Sequence, residues 1–548
     1  MGSRKTLRLS LLISLLVGCS SSAGTPVAPG GTAGNGGAGE SGVAGGGGAA
    51  VASPAGGTAQ GGSSGSTTTT GAGDGGVAGE GGNPALTKIA PIHLGSAAVY
   101  SVYAPIFSAA GNLAGVTAQL PRISRLGFDV LYLLPITTAG TSTATPVSSC
   151  NQGANGSIGS PYEVKDYASI DPSLGTSQDL IDLVHAAHGL GMYVVLDEVL
   201  NHTAWDNALV SQHPEYYLHC DGNRTNTGSI EIGANFFKDV AQLDYVTQPD
   251  LGLRSYVTNM LLSWVTTYDI DGFRFDTADD PFGANRLIPL DFWKNLRATL
   301  LATKPGLVML GEEEDPDLAQ TAFDVDYGWH LNGVYTPPAG GLQQVAGNSA
   351  SSSYPASLLE QGWMYQKMGY PATMLHLSLL QDWDLDEDLK LYGGAAGRMA
   401  AAAFDFTIDG IPMLFNGEEV GNDASGVNTH TTINWTGANA TTLTPFYESL
   451  LKLRNSHTAL QQGTLTWLVN SASDQVVSYT RSDANGTFLV LINFGGGMVT
   501  GTVSSLPPAS GWQDVSPAGS PGGTSHAGPP GFSLAAHDFA IFEVAPQR

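Results

Sequence analysis

Two short apolar segments that each end in a carboxylate constrain the fold of this 548-residue chain more than any other feature. The first reads Gly272-Phe-Arg-Phe-Asp276 and the second reads Leu310-Gly-Glu312. Both patterns predict β-strands, and residues 291–303 between them have room for one helix. A strand, a helix and a second strand, with an acid at each strand end, allow a (β/α)8 barrel to point two carboxylates at one place.

The alternation of strand-like and helical segments continues along most of the chain and predicts parallel βα units. Eight segments carry the strand pattern: 99–107, 130–135, 193–197, 273–276, 307–312, 323–327, 374–380 and 411–415. We therefore predict a (β/α)8 TIM barrel over residues 88–454, with a small excursion domain at 203–245 after the third strand. Short strands without intervening helices follow and predict a C-terminal antiparallel β-sandwich over residues 455–548.

The N-terminus has the features of an export signal. Three basic residues precede an apolar run at 9–17, which is too short to span a bilayer as a mature helix. The run ends in Leu-Val-Gly-Cys19, which resembles a bacterial lipobox and implies a lipoprotein signal peptide over residues 1–19 with lipidation of Cys19. An ordinary cleaved signal peptide is the alternative. Residues 20–87 are rich in Gly, Ala, Ser and Thr and are expected to form a flexible tether.

These features predict an exported bacterial lipoprotein of the outer membrane or cell surface, which contacts the membrane through its lipid anchor only. The formal charge is −26, from 22 basic and 48 acidic residues. This balance opposes nucleic-acid binding, which requires clusters of Lys and Arg, but it is compatible with a neutral sugar. Cys150 and Cys220 remain after Cys19, and export favours a disulfide between them, with two unpaired thiols as the alternative.

Four motifs follow one another at the predicted strand ends. They are Asp197-Glu-Val-Leu-Asn201-His202, the segment ending in Asp276, Gly311-Glu312, and Leu380-Gln-Asp-Trp-Asp384. In this order they resemble the motifs of the alpha-amylase family of retaining glycosidases, and the resemblance covers residues 97–544. It implies hydrolysis of alpha-glucosidic bonds in starch-derived glucans or maltooligosaccharides through a covalent glycosyl-enzyme.

The resemblance also implies the catalytic roles. Asp276 would be the nucleophile, Glu312 the acid/base, and Asp384 a third carboxylate that grips the sugar hydroxyls. Two alternatives remain open at this point, because acids at 313–315 follow Glu312 directly and the other acids within 382–388 compete with Asp384.

Sugar contacts are implied for His202 and for Tyr162, which would stack under the sugar ring, whereas Asp197 would support the site from below. Arg274 lies two residues before Asp276, so strand alternation places both on one face. The positive charge of Arg274 is therefore expected to lower the pKa of Asp276 and to keep this carboxylate ionised.

The chain departs from the family pattern at several positions. Trp383 replaces a histidine and offers a stacking surface instead, and Asp279 stands where an acceptor-side lysine is frequent. Asn201 occupies the place of a calcium ligand, but Gln242 replaces a ligand Asp, and calcium prefers anionic oxygens. We therefore expect no required cofactor, with calcium at Asn201 as the open alternative.

Two other functions are compatible with the same residues. A transglycosylase of this fold would differ only in the acceptor, which would be a sugar instead of water. A non-catalytic surface protein that binds alpha-glucan would explain the predicted anchor and the missing histidine, but it has no need for Asp276, Glu312 and Arg274 together.

Overall fold

A closed barrel of eight parallel strands forms the centre of the molecule. The computed structural model describes residues 90–141, 156–234, 237–247, 251–278, 287–333, 341–385, 389–422, 432–523 and 525–545. The barrel strands are Val99–Val102, Val130–Leu133, Tyr193–Val199, Gly272–Asp276, Val308–Gly311, Val325–Tyr327, Leu375–Leu379 and Ile411–Phe415. Each strand pairs with its neighbours in chain order, and the register Val99↔Met413 closes the eighth strand on the first. The predicted TIM barrel is confirmed.

Helices surround the barrel. The α-helices are Ala104–Phe107, Leu113–Thr117, Leu120–Leu126, Ser177–Gly189, Leu209–Gln212, Leu253–Tyr268, Leu290–Thr303, Pro316–Ala322, Trp329–Asn332, Leu342–Gly347, Leu358–Gln366, Ala395–Asp405, Ala440–Asn455 and Thr458–Gln462. Short 3-10 helices are Leu94–Ser96, Pro214–Tyr216, Thr227–Ser229, Leu389–Tyr392 and Glu418–Val420. The helix Ser177–Gly189 shows how the local sequence specifies these helices. Thr176 and Asp179 form a capping box at its start, and the apolar side chains Leu180, Leu183 and Val184 are buried.

The first barrel strand is shorter than the sequence pattern predicts. It ends at Val102, and residues Ala104–Phe107 form a helical turn with Pro105 in its first positions. Proline has no N–H to donate to a strand ladder, and its fixed φ suits the start of a helix, where N–H groups have no partner in any case. The apolar run alone does not reveal this change of conformation.

Two small antiparallel sheets extend the strand ends on the side of the predicted site. Thr137–Ala139 pairs with Val164–Ile170 after the second barrel strand. After the third barrel strand, Phe237–Gln242 pairs with both His202–Ala204 and Ile232–Gly233. The long helix Leu253–Tyr268 then leads into the fourth barrel strand, and its buried side chains, including Trp264, pack into the main core.

The C-terminal part consists of antiparallel sheets, as predicted. Five strands form one sheet in the spatial order Thr464–Trp467, Val476–Ser482, Thr487–Asn493, Phe539–Ala545 and Gly511–Asp514, and Val499–Thr502 pairs with Gly531–Leu534 in a second. Leu489 and Phe542 from the large sheet and Phe532 from the small sheet share one apolar cluster. Buried Arg481 donates to the carbonyl oxygens of Thr407 and Ile408 and ties this part to the barrel.

Across the described part of the chain, no helix combines the length and the apolar character that crossing a membrane requires. The proposed anchor residue Cys19, the signal peptide and the tether lie outside the described residues.

Candidate functional site

Two carboxylates meet on one guanidinium at the carboxyl end of the barrel. Asp276 closes the fourth strand and Glu312 follows the fifth. Arg274 Nη1 lies 3.0 Å from Asp276 Oδ1, and Arg274 Nη2 lies 2.8 Å from Glu312 Oε2. Thr277 also contacts both carboxylates, because its N–H donates to Glu312 Oε2 at 2.8 Å and its hydroxyl donates to Asp276 Oδ2 at 3.2 Å. The structure therefore brings the two predicted catalytic acids together.

The contact with Arg274 distinguishes Glu312 from the acids that follow it. Glu313 is buried and accepts a hydrogen bond from the backbone N–H of Asp315. Glu314 forms an ion pair with His330 at 3.3 Å. Glu312 is thus the acid of this run that is held beside Asp276.

Asp197 supports the site from below, at the position predicted for it. It lies in the third barrel strand, and Arg274 Nη1 donates to its two oxygens at 2.8 and 3.0 Å. The hydroxyl groups of Tyr132 and Tyr162 donate to Asp197 Oδ2 at 2.5 and 3.0 Å. Because these partners come from different strands and loops, the guanidinium of Arg274 is fixed before any ligand arrives.

Arg274 lowers the pKa of Asp276, as predicted, but other effects outweigh it and the net shift is upward. Burial raises the pKa of Asp276 to about 8, although Arg274 pulls it down, and the negative charges of Glu312 and Asp197 add to the rise. Arg274 also contacts Asp197 and Glu312, so its single charge is shared among three carboxylates. The carboxyl group of Asp276 therefore binds its proton more tightly than an ordinary aspartate does.

Further carboxylates follow the seventh strand. Asp384 is open to solvent, yet the protein atoms around it and the charges of Asp382 and Glu312 raise its pKa well above the ordinary value. Asp382 is buried, which raises its pKa to about 7 together with the charge of Glu312. Its Oδ1 accepts the N–H of Asp384 at 2.9 Å, so Asp382 shapes the turn that presents Asp384. Residues 386–388, the other competitors, lie outside the described residues.

Aromatic rings form one wall of the site. Trp383 meets Tyr103 edge to face with the ring centroids 4.6 Å apart, and its ring centroid lies 5.9 Å from that of Tyr162. Tyr162 is also 5.8 Å from the guanidinium carbon of Arg274. Both predicted stacking residues thus lie beside the carboxylates, and an apolar ring surface next to acids is suited to a sugar ring.

His202 lies in the same region but is partly committed to the protein. It is buried, and its Nε2 contacts the carbonyl oxygen of Tyr162 at 3.1 Å. Burial lowers the pKa of His202 to about 4, so the ring is neutral and Nε2 carries the donated proton. This hydrogen bond holds the backbone of Tyr162 in place. The contact of His202 with a sugar stays a prediction, and Nδ1 is the ring nitrogen that would make it.

The residues around Asn201 do not fit calcium. The amide of Gln242 donates to the carbonyl oxygens of Asn201 at 2.7 Å and Leu243 at 3.1 Å, so these oxygens are already engaged. Asp244 pairs with Arg224 at 2.5 Å. The amide of Asn201 donates to the carbonyl of Thr277 at 3.1 Å, while its Oδ1 finds no partner among the described residues. Calcium requires several oxygen ligands, carboxylates among them, and the carboxylate of this described set, Asp244, is already paired with Arg224.

No cluster of three or more metal-binding side chains occurs among the residues that the structure describes. Cys220 is disulfide-bonded. Cys150 lies outside the described residues, so the pairing of Cys150 with Cys220 stays a prediction. The sequence interpretation missed Tyr132, which hydrogen-bonds to Asp197, and Thr277, which hydrogen-bonds to both predicted catalytic acids. The position of Thr277 directly after Asp276 could have indicated its role. Tyr132 lies within an apolar strand, and nothing in its sequence context indicates a contact with Asp197.

A (β/α)8 barrel whose carboxyl rim holds two acids on one guanidinium, beside an aromatic wall, has the architecture of barrels that process glycosidic bonds. The family description "Alpha amylase, catalytic domain" matches residues 101–442, more than half of the chain. The chain therefore belongs to the alpha-amylase family.

Individual relatives are distant. A cyclomaltodextrinase from Bacillus sp is 25% identical over 401 residues, which cover 70% of this chain and 65% of that protein. An alpha-1,4-glucan:maltose-1-phosphate maltosyltransferase from Mycobacterium tuberculosis is 29% identical over 231 residues, 40% of this chain and 31% of that protein. The solved structure of a noncanonic maltogenic alpha-amylase from Thermotoga neapolitana matches in fold with a TM-score of 0.68 at 24% identity, covering 83% of this chain and 100% of that one. The chain spans just under two thirds of the length of the cyclomaltodextrinase.

Proposed function

We propose that the protein is a retaining glycosidase that hydrolyses alpha-glucosidic bonds in starch-derived glucans or maltooligosaccharides. The observation that carries this proposal is the placement of Asp276 and Glu312 on adjacent nitrogens of Arg274. A double displacement needs one carboxylate that attacks and one acid that protonates the leaving oxygen, both close to the same bond.

In the first step Glu312, as the acid, gives its proton to the glycosidic oxygen while an oxygen of Asp276 bonds to the anomeric carbon. The bond to the leaving sugar breaks and a covalent glycosyl-enzyme forms. In the second step the Glu312 carboxylate takes a proton from water, which attacks the anomeric carbon and releases Asp276. This mechanism requires Glu312 to be protonated and Asp276 to be ionised when substrate is bound, and the fixed charge of Arg274 stabilises the ionised Asp276.

The substrate class rests on the site and on the names of the relatives. Cyclomaltodextrinase and maltogenic alpha-amylase both name enzymes of alpha-glucans. The wall of Trp383 and Tyr162 offers ring surfaces to a sugar. Asp384 would bind sugar hydroxyls through its carboxylate. A transfer reaction is the second candidate, because one relative is named a maltosyltransferase.

We further propose that residues 1–19 direct export and that lipidated Cys19 anchors the protein at the outer membrane or cell surface. The support is the basic start, the short apolar run and the Leu-Val-Gly-Cys19 motif. Metabolic labelling with a fatty acid tests this: Cys19→Ser is expected to lose the label, and a labelled Cys19→Ser protein would refute the anchor.

Product analysis tests the catalytic proposal. The protein is incubated with starch, maltotriose, pullulan and isomaltose, and proton NMR follows the anomer released first. We expect alpha products, and Asp276→Asn or Glu312→Gln should lower turnover by at least roughly a thousandfold. Asp317→Asn, which changes an exposed carboxylate in the helix Pro316–Ala322, is the matched control and should leave turnover unchanged.

Beta-anomeric products, or full activity of either active-site variant, would refute the double displacement. Products longer than the substrate at high maltotriose concentration would favour transfer. Binding of starch without release of reducing ends would favour the non-catalytic binding protein.

A further inference from the structure

Thr277 directly follows the proposed nucleophile and has an unusual backbone. Its φ is +42°, in the left-handed region that a β-branched residue rarely adopts. Such a conformation persists only where the surrounding contacts enforce it, and it is frequently found at functional sites. The contacts of Thr277 are therefore informative.

Each polar group of Thr277 has a partner in or beside the site. The N–H donates to Glu312 Oε2 at 2.8 Å and the hydroxyl donates to Asp276 Oδ2 at 3.2 Å. The carbonyl oxygen accepts from the side-chain amide of Asn201 at 3.1 Å. The next residue, Ala278, donates its N–H to the carbonyl oxygen of Glu312 at 3.0 Å, which joins the two strand ends by their backbones as well.

The left-handed conformation has a geometric consequence. Asp276 and Glu312 belong to neighbouring strands, and the chain must turn sharply after Asp276 for one residue to reach both carboxylates. The amide of Asn201, on a loop after the third strand, holds the turned peptide in place. Gln242 in turn donates to the carbonyl of Asn201 at 2.7 Å.

We propose that Thr277 is a positioning residue that fixes the relative placement of the two catalytic carboxylates, and that its hydroxyl acts specifically on Asp276. This inference rests on the proposed function. The N–H contact is available to any residue at this position, whereas the hydroxyl contact is available only to Thr or Ser. The side chain therefore contributes one separable hydrogen bond to an ionisable oxygen.

A hydrogen bond donated to a carboxylate favours the ionised form. Loss of the hydroxyl should therefore make Asp276 harder to ionise and move the acidic limb of the kcat/KM profile to higher pH. The other charged and titratable groups that act on Asp276 stay in place, namely Arg274, Glu312, Asp197, Asp384 and Tyr162.

The experiment compares Thr277→Ala, Thr277→Ser and Thr277→Gly in the full chain, with pH profiles of kcat and kcat/KM on maltotriose and thermal unfolding of each variant. Ala and Gly should lower kcat/KM roughly tenfold on the acidic side and move the acidic limb up by about one pH unit. Ser, which keeps the hydroxyl, should recover most of the loss. Gly relieves the backbone conformation, so it should unfold at a higher temperature than Ala while sharing its pH shift.

The outcomes separate this inference from the proposed function. A wild-type protein without activity on any glucan refutes the function itself. An active wild type with an unchanged pH profile in Thr277→Ala, or with Ser and Ala indistinguishable, overturns the role of the hydroxyl. A shift of the acidic limb to lower pH also overturns it, because Thr277 would then accept from a protonated Asp276.

Discussion

At the scale of single residues, the one positive charge of Arg274 contacts more carboxylates than it can neutralise. Arg274 is 2% exposed and contacts Asp197, Asp276 and Glu312, while Asp384 adds a further acid at the rim. A buried carboxylate without full compensation keeps its proton. The raised pKa of Asp276 is therefore a property of the site before any ligand binds.

The same charge balance predicts that Asp276 lowers the free energy of unfolding. Its pKa of about 8 lies above the unfolded value, so the folded state binds a proton that the unfolded chain releases. Stability should therefore fall as pH rises from about 4 towards 8. Asp276→Asn removes this cost and should unfold at a higher temperature than wild type, by more at pH 8 than at pH 5. Thermal unfolding at both pH values measures this difference in unfolding temperature, with Asp317→Asn as the control. The same difference at pH 5 and pH 8 would contradict the prediction.

The placement of Asp276 and Glu312 on one rim could be predicted from the sequence, but the raised pKa of Asp276 could not. Asp276 and Glu312 end apolar strands that are neighbours in a barrel, and this pattern alone places them on one rim. The pKa of Asp276 depends on the enclosure of its carboxyl and on how many acids share Arg274. Both quantities arise from the packing of distant segments, and strand alternation carries no information on either.

At the scale of elements, the small sheet after the third barrel strand supports the segment that follows Asp276. Gln242 belongs to the strand Phe237–Gln242, and its amide engages the carbonyls of Asn201 and Leu243. Asn201 then holds Thr277. Side-chain amides thus link this sheet to the segment that follows the fourth barrel strand. The substitution Gln242 was visible in the sequence, but its contact with Asn201 was not, since 41 positions separate the two residues.

This arrangement predicts that the protein does not depend on calcium. A chelator such as EDTA should leave activity and unfolding temperature unchanged. Gln242→Asp removes the amide donors and adds a carboxylate, so it should lower the unfolding temperature in EDTA and regain part of it with excess calcium, because a ligand that binds only the folded state stabilises it. Gln242→Asn, which adds no charge, is the control and should not respond to calcium. Loss of wild-type stability in EDTA would contradict the prediction.

At the scale of the whole molecule, the C-terminal sheets carry an ionic cluster that is far in sequence from the barrel acids. His526 Nδ1 lies 2.7 Å from Asp514 Oδ2, and Nε2 lies 3.2 Å from Asp538 Oδ2. These residues join the strand Gly511–Asp514, the following loop and the start of the strand Phe539–Ala545. The two strands already pair in the sheet, with Asp514 opposite Phe542, and the histidine between two carboxylates ties the intervening loop to this pair.

The His526 cluster makes the stability of this part dependent on pH. Burial opposes protonation of His526, but the hydrogen bonds and charges of Asp538 and Asp514 outweigh it and raise the pKa of His526 above 6.5. A raised histidine pKa contributes stability that is fully present below the unfolded pKa and is lost as pH rises through the folded pKa.

The unfolding temperature of the wild type should therefore fall between pH 6 and 8 relative to that of His526→Asn, whose side chain does not titrate. Thermal unfolding across this range measures the difference, with His93→Asn, a change at an exposed histidine of the barrel part, as control. Parallel pH dependence in the wild type and in His526→Asn would show that the histidine is neutral between its two aspartates and that one of them carries the proton instead.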